Sequence, residues 1–135
     1  MKEADTIAVV ALGGVLGAEA RYGLGLRWPT PVGVFPWTTL LINALGCLVI
    51  GVFLVAITEG RPAHRLVRPF VGTGVLGGFT TFSTYCMDVH RLFDAHRPGV
   101  AVGYLGATLA AALGAVALGA AGTRRVLTAL RGARG

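Results

Sequence analysis

The sequence predicts an all-α integral membrane protein with four transmembrane helices, the third of them broken near Gly77–Thr81. Three observations carry that prediction. Hydrophobic residues make up 54% of the 135 positions and charged residues only 13%, about half the charged share of an ordinary soluble domain. Mean hydropathy is +0.70. Four apolar stretches each reach the ~20 residues that a helix rising 1.5 Å per residue needs to cross a ~30 Å hydrocarbon layer. A chain of this length makes a single domain.

The first segment is expected over about 6–26, with Glu19 and Arg21 near its far end. No cleavable leader is predicted, because Lys2 is followed at once by Glu3 and Asp5 where a basic region should stand. The second segment, about 35–58, carries no charge at all. The third runs over about 66–93; it is uncharged from Phe70 to Met87, then continues through Asp88, His90 and Arg91. The fourth, about 99–123, is uncharged and precedes a basic C-terminal tail over 124–135. The connections near Pro29–Pro36, Glu59–Arg65 and Asp94–Pro98 are short and rich in Pro, Gly or charge, so the helices should pack as a bundle. Gly accounts for 21 residues. Lipid tails supply no hydrophobic drive between helices, so small residues that let backbones approach become the packing surface. Gly13 and Gly17 form such a pair in the first segment; Ala110–Gly114 and Ala115–Gly119 are similar in the fourth.

The net charge of +6 arises from 12 cations, 11 of them Arg, mostly set between the apolar segments. That is the pattern membrane topology imposes. No basic face interleaved with aromatics is present for bases to stack on, so nucleic acid is not an expected partner. Lys2, Arg61, Arg65, Arg68, Arg124, Arg125, Arg131 and Arg134 fall on one side, and Arg27, Arg91 and Arg97 on the other. This bias places both termini in the cytoplasm. Cys47 and Cys86 belong to no metal-spacing motif and are read as core residues. No Ser/His/Asp set, HExxH or P-loop lies at membrane depth, so no enzyme activity is predicted.

The informative run is Gly77-Gly78-Phe79-Thr80-Thr81-Phe82-Ser83-Thr84-Tyr85. Paired glycines followed by paired threonines make poor helix where backbone bonds most need satisfying. Irregular backbone at that depth survives only inside protein or along a cavity. Carbonyls freed there are ligands for a hard cation. Thr80, Thr81, Ser83 and Thr84 each bring a hydroxyl that can donate to an anion or bond back to the preceding turn. Phe82 and Tyr85 share a helix face, either as packing or with positive ring edges toward an anion path. Thr39 and Asn43 stand one above the other in the second segment, and Tyr104 and Thr108 do so in the fourth. An Asn within an uncharged span marks a helix contact or a pathway. Arg21 is placed to snorkel, to bind a carbonyl or to set a positive potential at a vestibule.

These residues resemble the Fluc (CrcB) family of small fluoride channels. The likeness covers nearly the whole chain: Gly13-Gly14-x-x-Gly17-Ala18-x-x-Arg21-Tyr22, then Thr39-Leu40-x-x-Asn43-x-x-Gly46, then Gly77 to Thr84. The resemblance implies a passive fluoride channel in the cell membrane of a prokaryote, exporting fluoride and lowering its toxicity. It implies an antiparallel, dual-topology dimer with two fluoride pores and a central structural sodium ion that is not transported. The carbonyls of Gly77 and Thr80 from both subunits would hold the sodium. Asn43, Phe82, Ser83, Thr84, Tyr85, Thr39, Tyr104 and Thr108 would line the fluoride pathway, and Arg21 would supply vestibule charge. Tyr85 departs from the family's second pore Phe, Thr38 from a common Gly and Leu48 from a common Phe, and Ala112 shortens the hydroxyl track after Thr108. The uneven cation count leaves either a homodimer or a heterodimer with a homologous chain. Two rivals are a proton-coupled multidrug exporter working through Glu19 and a structural membrane protein without transport.

Overall fold

The computed structural model describes residues 2–60 and 63–133, without the side chain of Lys2. Every regular element among them is helical: α1 (Lys2–Arg27), α2 (Trp37–Glu59), a π-helix π1 (Arg68–Leu76), α3 (Gly77–Phe79), α4 (Phe82–Asp94) and α5 (Pro98–Gly132). Three of these, α1, α2 and α5, are long and apolar enough to cross a membrane. The remaining expected segment is built in pieces, π1 and α3 on one side of an interruption at Thr80–Thr81 and α4 on the other. Of the cations behind the expected orientation, Arg61, Arg134 and the Lys2 side chain lie outside the described residues.

Local sequence accounts for most element ends. Pro98 opens α5 at a position where a missing N–H costs nothing. Thr38 Oγ1 donates to the Trp28 carbonyl at 2.6 Å and so satisfies the C-terminal end of α1. Gly33 takes φ +75° in the α1–α2 connection, a conformation that Cβ-bearing residues rarely adopt. The basic stretch after 123 prolongs α5 to Gly132, since no breaker intervenes. Arg124 Nε pairs with Glu59 Oε1 at 2.8 Å, and Arg131 donates to the Glu59 carbonyl, which binds the end of α5 to the end of α2.

Two packing interfaces fix the arrangement. Helix α1 lies along π1 and α3, and α2 lies along α5. In the first, a Cβ on Gly17 would collide with the Val75 carbonyl and one on Gly78 with the Gly14 carbonyl. In the second, Gly51 meets the Val116 carbonyl and Gly119 meets the Leu48 carbonyl. The expected pair Gly13–Gly17 and the residue Gly119 are therefore contact glycines, whereas Gly114 faces open space. Helix α4 packs on α5 through Leu92, Ala101 and Tyr104, joined by Leu40 of α2. Large apolar side chains such as Leu12, Val102, Leu109 and Leu118 are more than 60% exposed, as expected of a chain whose solvent is hydrocarbon.

Candidate functional site

The interruption is organised by Asn43. Thr80 and Thr81 are extended, with ψ of 153° and 120°. The Asn43 side chain meets both backbone groups of Thr81: Nδ2 donates to its carbonyl at 2.9 Å and Oδ1 accepts from its N–H at 2.8 Å. Both members of this clasp are buried. An amide carries two N–H donors, so one Asn43 hydrogen remains after the Thr81 bond.

Helix α4 then restarts on Thr81 as N-cap, its Oγ1 accepting from Thr84 N at 3.1 Å and donating to Thr84 Oγ1 at 2.9 Å. Ser83 Oγ stands 3.3 Å from the same hydroxyl and is exposed. The first turn of α4 brings unpaired N–H groups and the positive end of the helix dipole to the break.

These contacts redirect the donors a continuous helix would have used. The Thr81 N–H would reach the Gly77 carbonyl in an α-helix and instead goes to Asn43. The Thr84 N–H would reach the Thr80 carbonyl and instead goes to Thr81 Oγ1. The Gly78 carbonyl receives Arg21 Nε at 3.1 Å. Thr80 Oγ1 bonds back to the Leu76 carbonyl at 2.9 Å, the local use that intramembrane threonines commonly make of their hydroxyls. Gly77 is exposed, with nothing within 4 Å of where a Cβ would stand.

Most remaining site residues divide between two spaces that share Thr81, whereas Ser83 lines neither and Tyr104, expected on the pathway, is fully buried in the α4–α5 core. One is a polar vestibule of about 250 Å³, lined by Arg21, Thr39, Thr81, Thr84, Asp88 and Arg91 among others. The other is a groove of about 290 Å³ lined by Asn43, Thr80, Thr81, Phe82, Tyr85 and Thr108 with Cys47, Ile50, Leu109 and Ala112. Phe82 is 77% exposed and its ring centroid lies 5.8 Å from that of Tyr85. The Tyr85 ring is 5.3 Å from Tyr104, and its hydroxyl donates to the Leu105 carbonyl at 3.1 Å. The extra oxygen at position 85 thus has an acceptor on α5 and leaves the ring edge in the groove. Thr108 Oγ1 is buried without a hydrogen-bond partner among the described residues. A hydroxyl so placed costs free energy unless something visits it.

Sequence reasoning passed over Asp88 as a site residue. It is buried on α4, accepts from Thr39 Oγ1 at 2.6 Å, and lies 3.5 Å from the Tyr104 hydroxyl and 3.6 Å from Arg91 Nη1. Its spacing from Thr84, four residues on, places both on one helix face. That signal was available in the sequence; the burial was not. Among the described residues no group of three or more His, Cys, Asp or Glu side chains could hold a metal.

The geometry defines a class: a multi-pass helical membrane protein whose interrupted helix separates a polar vestibule from an aromatic groove. The chain belongs to the CrcB family, described as "CrcB-like protein, Camphor Resistance (CrcB)", whose pattern matches residues 8–120. It is 64% identical over 125 residues to the "Fluoride-specific ion channel FluC 1" of Streptomyces coelicolor, covering 93% of this chain and 81% of that protein. A protein named "Fluoride-specific ion channel FluC 2" in Streptomyces avermitilis is 63% identical over 107 residues, 79% of this chain and 68% of its own length. The "Fluoride-specific ion channel FluC" of a Ruegeria strain is 42% identical over 126 residues, 91% of this chain and 98% of its own.

Proposed function

We propose that this protein is a passive, fluoride-selective channel of a bacterial plasma membrane, not an enzyme, which lets fluoride leave the cytoplasm and so limits its toxicity. The observation that carries this reading is the 64% identity, across 93% of the chain, with a protein named as a fluoride-specific ion channel. The chain crosses the membrane four times, the interrupted π1–α3–α4 segment making the third crossing, and pairs with a second copy or a homologous chain in antiparallel orientation.

The chemistry of the site supports the reading. Fluoride is small and strongly hydrated, so dehydration needs several donors at once. Arg21 and Arg91, with the N-terminal end of α4, give the vestibule a positive potential that draws anions in. The Thr84 hydroxyl hydrogen, the second Asn43 amide hydrogen and the unpartnered Thr108 hydroxyl then offer donors in sequence from vestibule to groove, with Ser83 at the mouth. The ring edges of Phe82 and Tyr85 add weak positive sites that do not trap the ion. A structural sodium ion fits the donor set. Its ligands would be the Gly77 and Thr80 carbonyls of both subunits, the two whose helical N–H partners are redirected by Asn43 and Thr81. Such an ion, when bound, fixes the two interruptions against each other and takes no part in permeation.

The exporter alternative would need Glu19 to bind protons and lipophilic cations in turn. Glu19 lies on the exposed side of α1, away from both the vestibule and the groove. The deciding measurement is ion efflux from proteoliposomes holding this chain alone. Fluoride is expected to leave rapidly and chloride not at all. Equal release of both ions would refute the reading, as would release of neither both from this chain alone and from the chain reconstituted with a homologous partner, while fluoride release from the single chain would establish that no homologous partner is required.

A further inference from the structure

We propose that Asp88 is an internal anion that occupies hydroxyl donors of the vestibule, so that permeating fluoride has to displace it from them. The inference rests on the fluoride-channel reading and adds to it a residue that sets which anions pass. It starts from proton counting. A threonine hydroxyl has one hydrogen to give. The Thr39 hydrogen is given to Asp88 Oδ2 at 2.6 Å, in the range of a charge-assisted bond to a carboxylate. The Tyr104 hydroxyl points at the same oxygen from 3.5 Å. Neither hydroxyl can donate to fluoride while the carboxylate holds it.

Asp88 is also placed to act on an ion in the vestibule. It lines that space together with Thr39, Thr84 and Arg91. Its side chain is only 7% exposed, whereas that of Arg91, 3.6 Å from Oδ1, is 65% exposed. A solvated guanidinium at that distance offsets a buried carboxylate only in part. An anion lodging beside Thr39 therefore meets two opposing effects, repulsion by Asp88 and the loss of donors already engaged. Fluoride, compact and the strongest hydrogen-bond acceptor among the halides, can take a hydroxyl hydrogen from a carboxylate; larger and weaker acceptors cannot. The pair thus discriminates by competition, a device distinct from pore width.

The test compares initial fluoride efflux against fluoride concentration for the wild type, Asp88→Asn, Thr39→Val and the double variant, each checked for unchanged elution as an assembled particle. Asp88→Asn removes the charge and leaves a weaker acceptor, and is expected to lower the half-saturating fluoride concentration at least fivefold. In the Thr39→Val background most of that change should vanish, because the short hydroxyl bond is gone and only the Tyr104 hydroxyl, at 3.5 Å, still faces the carboxylate. An unchanged half-saturation in Asp88→Asn, or an equal shift with and without Thr39, would overturn the proposal, the second result showing a field effect alone. If Asp88→Asn does not assemble, wild-type protein carrying carboxyl-labelled aspartate provides the measurement. Infrared difference spectra should show a carboxylate band moving with fluoride and not with chloride, against the exposed Asp5 and Asp94 as unmoved references. No fluoride-specific band overturns the inference. A wild type that passes no fluoride, alone or with a homologous partner, defeats the channel reading itself, and is told apart from the other outcomes at the first measurement.

Discussion

Asn43 shows how one side chain can make a helix break affordable in hydrocarbon. The N–H of Thr81 loses its helical partner, the Gly77 carbonyl, whereas the Thr81 carbonyl, as N-cap, opens the bonding of α4. The amide presents one donor and one acceptor at the spacing of a peptide group, so Oδ1 satisfies the orphaned N–H at 2.8 Å while Nδ2 adds a second donor to the carbonyl at 2.9 Å. Asn43→Ala should therefore strand the buried Thr81 N–H. A cost of ~1–3 kcal/mol is expected, the range for one orphaned buried polar group. Thermal unfolding in detergent would check it, alongside Ser83→Ala, an exposed neighbour for which a change within about 0.5 kcal/mol is expected. Arg21 does comparable work from another helix by engaging the Gly78 carbonyl.

Among the elements, the contrast between glycines separates those that let backbones touch from those that merely lie in a helix. Helix α1 approaches π1 and α3 so closely that a methyl on Gly17 or Gly78 would meet a carbonyl on the facing element. Backbone cannot yield as a flexible side chain does. Gly17→Ala and Gly78→Ala should each cost about 1–3 kcal/mol by overpacking and should tilt α1 away from the broken segment, which also shifts Arg21 from Gly78. Gly122 in α5 has open space around it, and Gly122→Ala should be neutral or stabilising, since Ala is the better helix former. Melting temperatures of the three variants in one detergent would decide the matter: a loss at position 122 equal to that at position 17 would contradict the packing described.

For the whole molecule, the interruption carries exposed groups at the surface of the chain. Phe82 is 77% exposed and Gly77 has open space where a Cβ would stand, as the proposed antiparallel partner and sodium ion require. If sodium joins two interruptions, its effect on stability follows mass action, rising by about 2.7 kcal/mol when its concentration reaches a hundredfold over its dissociation constant. Replacing sodium by a large organic cation should lower the melting temperature of the dimer and raise the monomer fraction in size-exclusion chromatography. Insensitivity to that exchange would remove sodium from the assembly.

The length of the apolar stretches, the Gly-Gly-Phe-Thr-Thr run and the breakers between segments were enough to place four helical stretches and to locate the interruption near Gly77–Thr81, because lipid permits few alternatives for an uncharged backbone. The Phe82–Tyr85 and Thr39–Asn43 pairings were legible for the same reason, as helical spacing alone sets which side chains are stacked. Other features depended on contacts distant in sequence. No periodicity announces that Asn43 would bind Thr81 across 38 residues, or that Thr39 and Tyr104 would converge on Asp88 from two other helices. The π-helical stretch before the break and the path of α5 beyond 123 were equally outside local rules: the one accompanies the close fit against α1, the other the Glu59 contacts of Arg124 and Arg131. The sequence by itself determined that this chain spans a membrane with a weak point in one span. The tertiary structure alone decided which groups that weak point leaves unpaired, because a hydrogen bond is allocated by the partner that arrives, and the partners arrive from other helices.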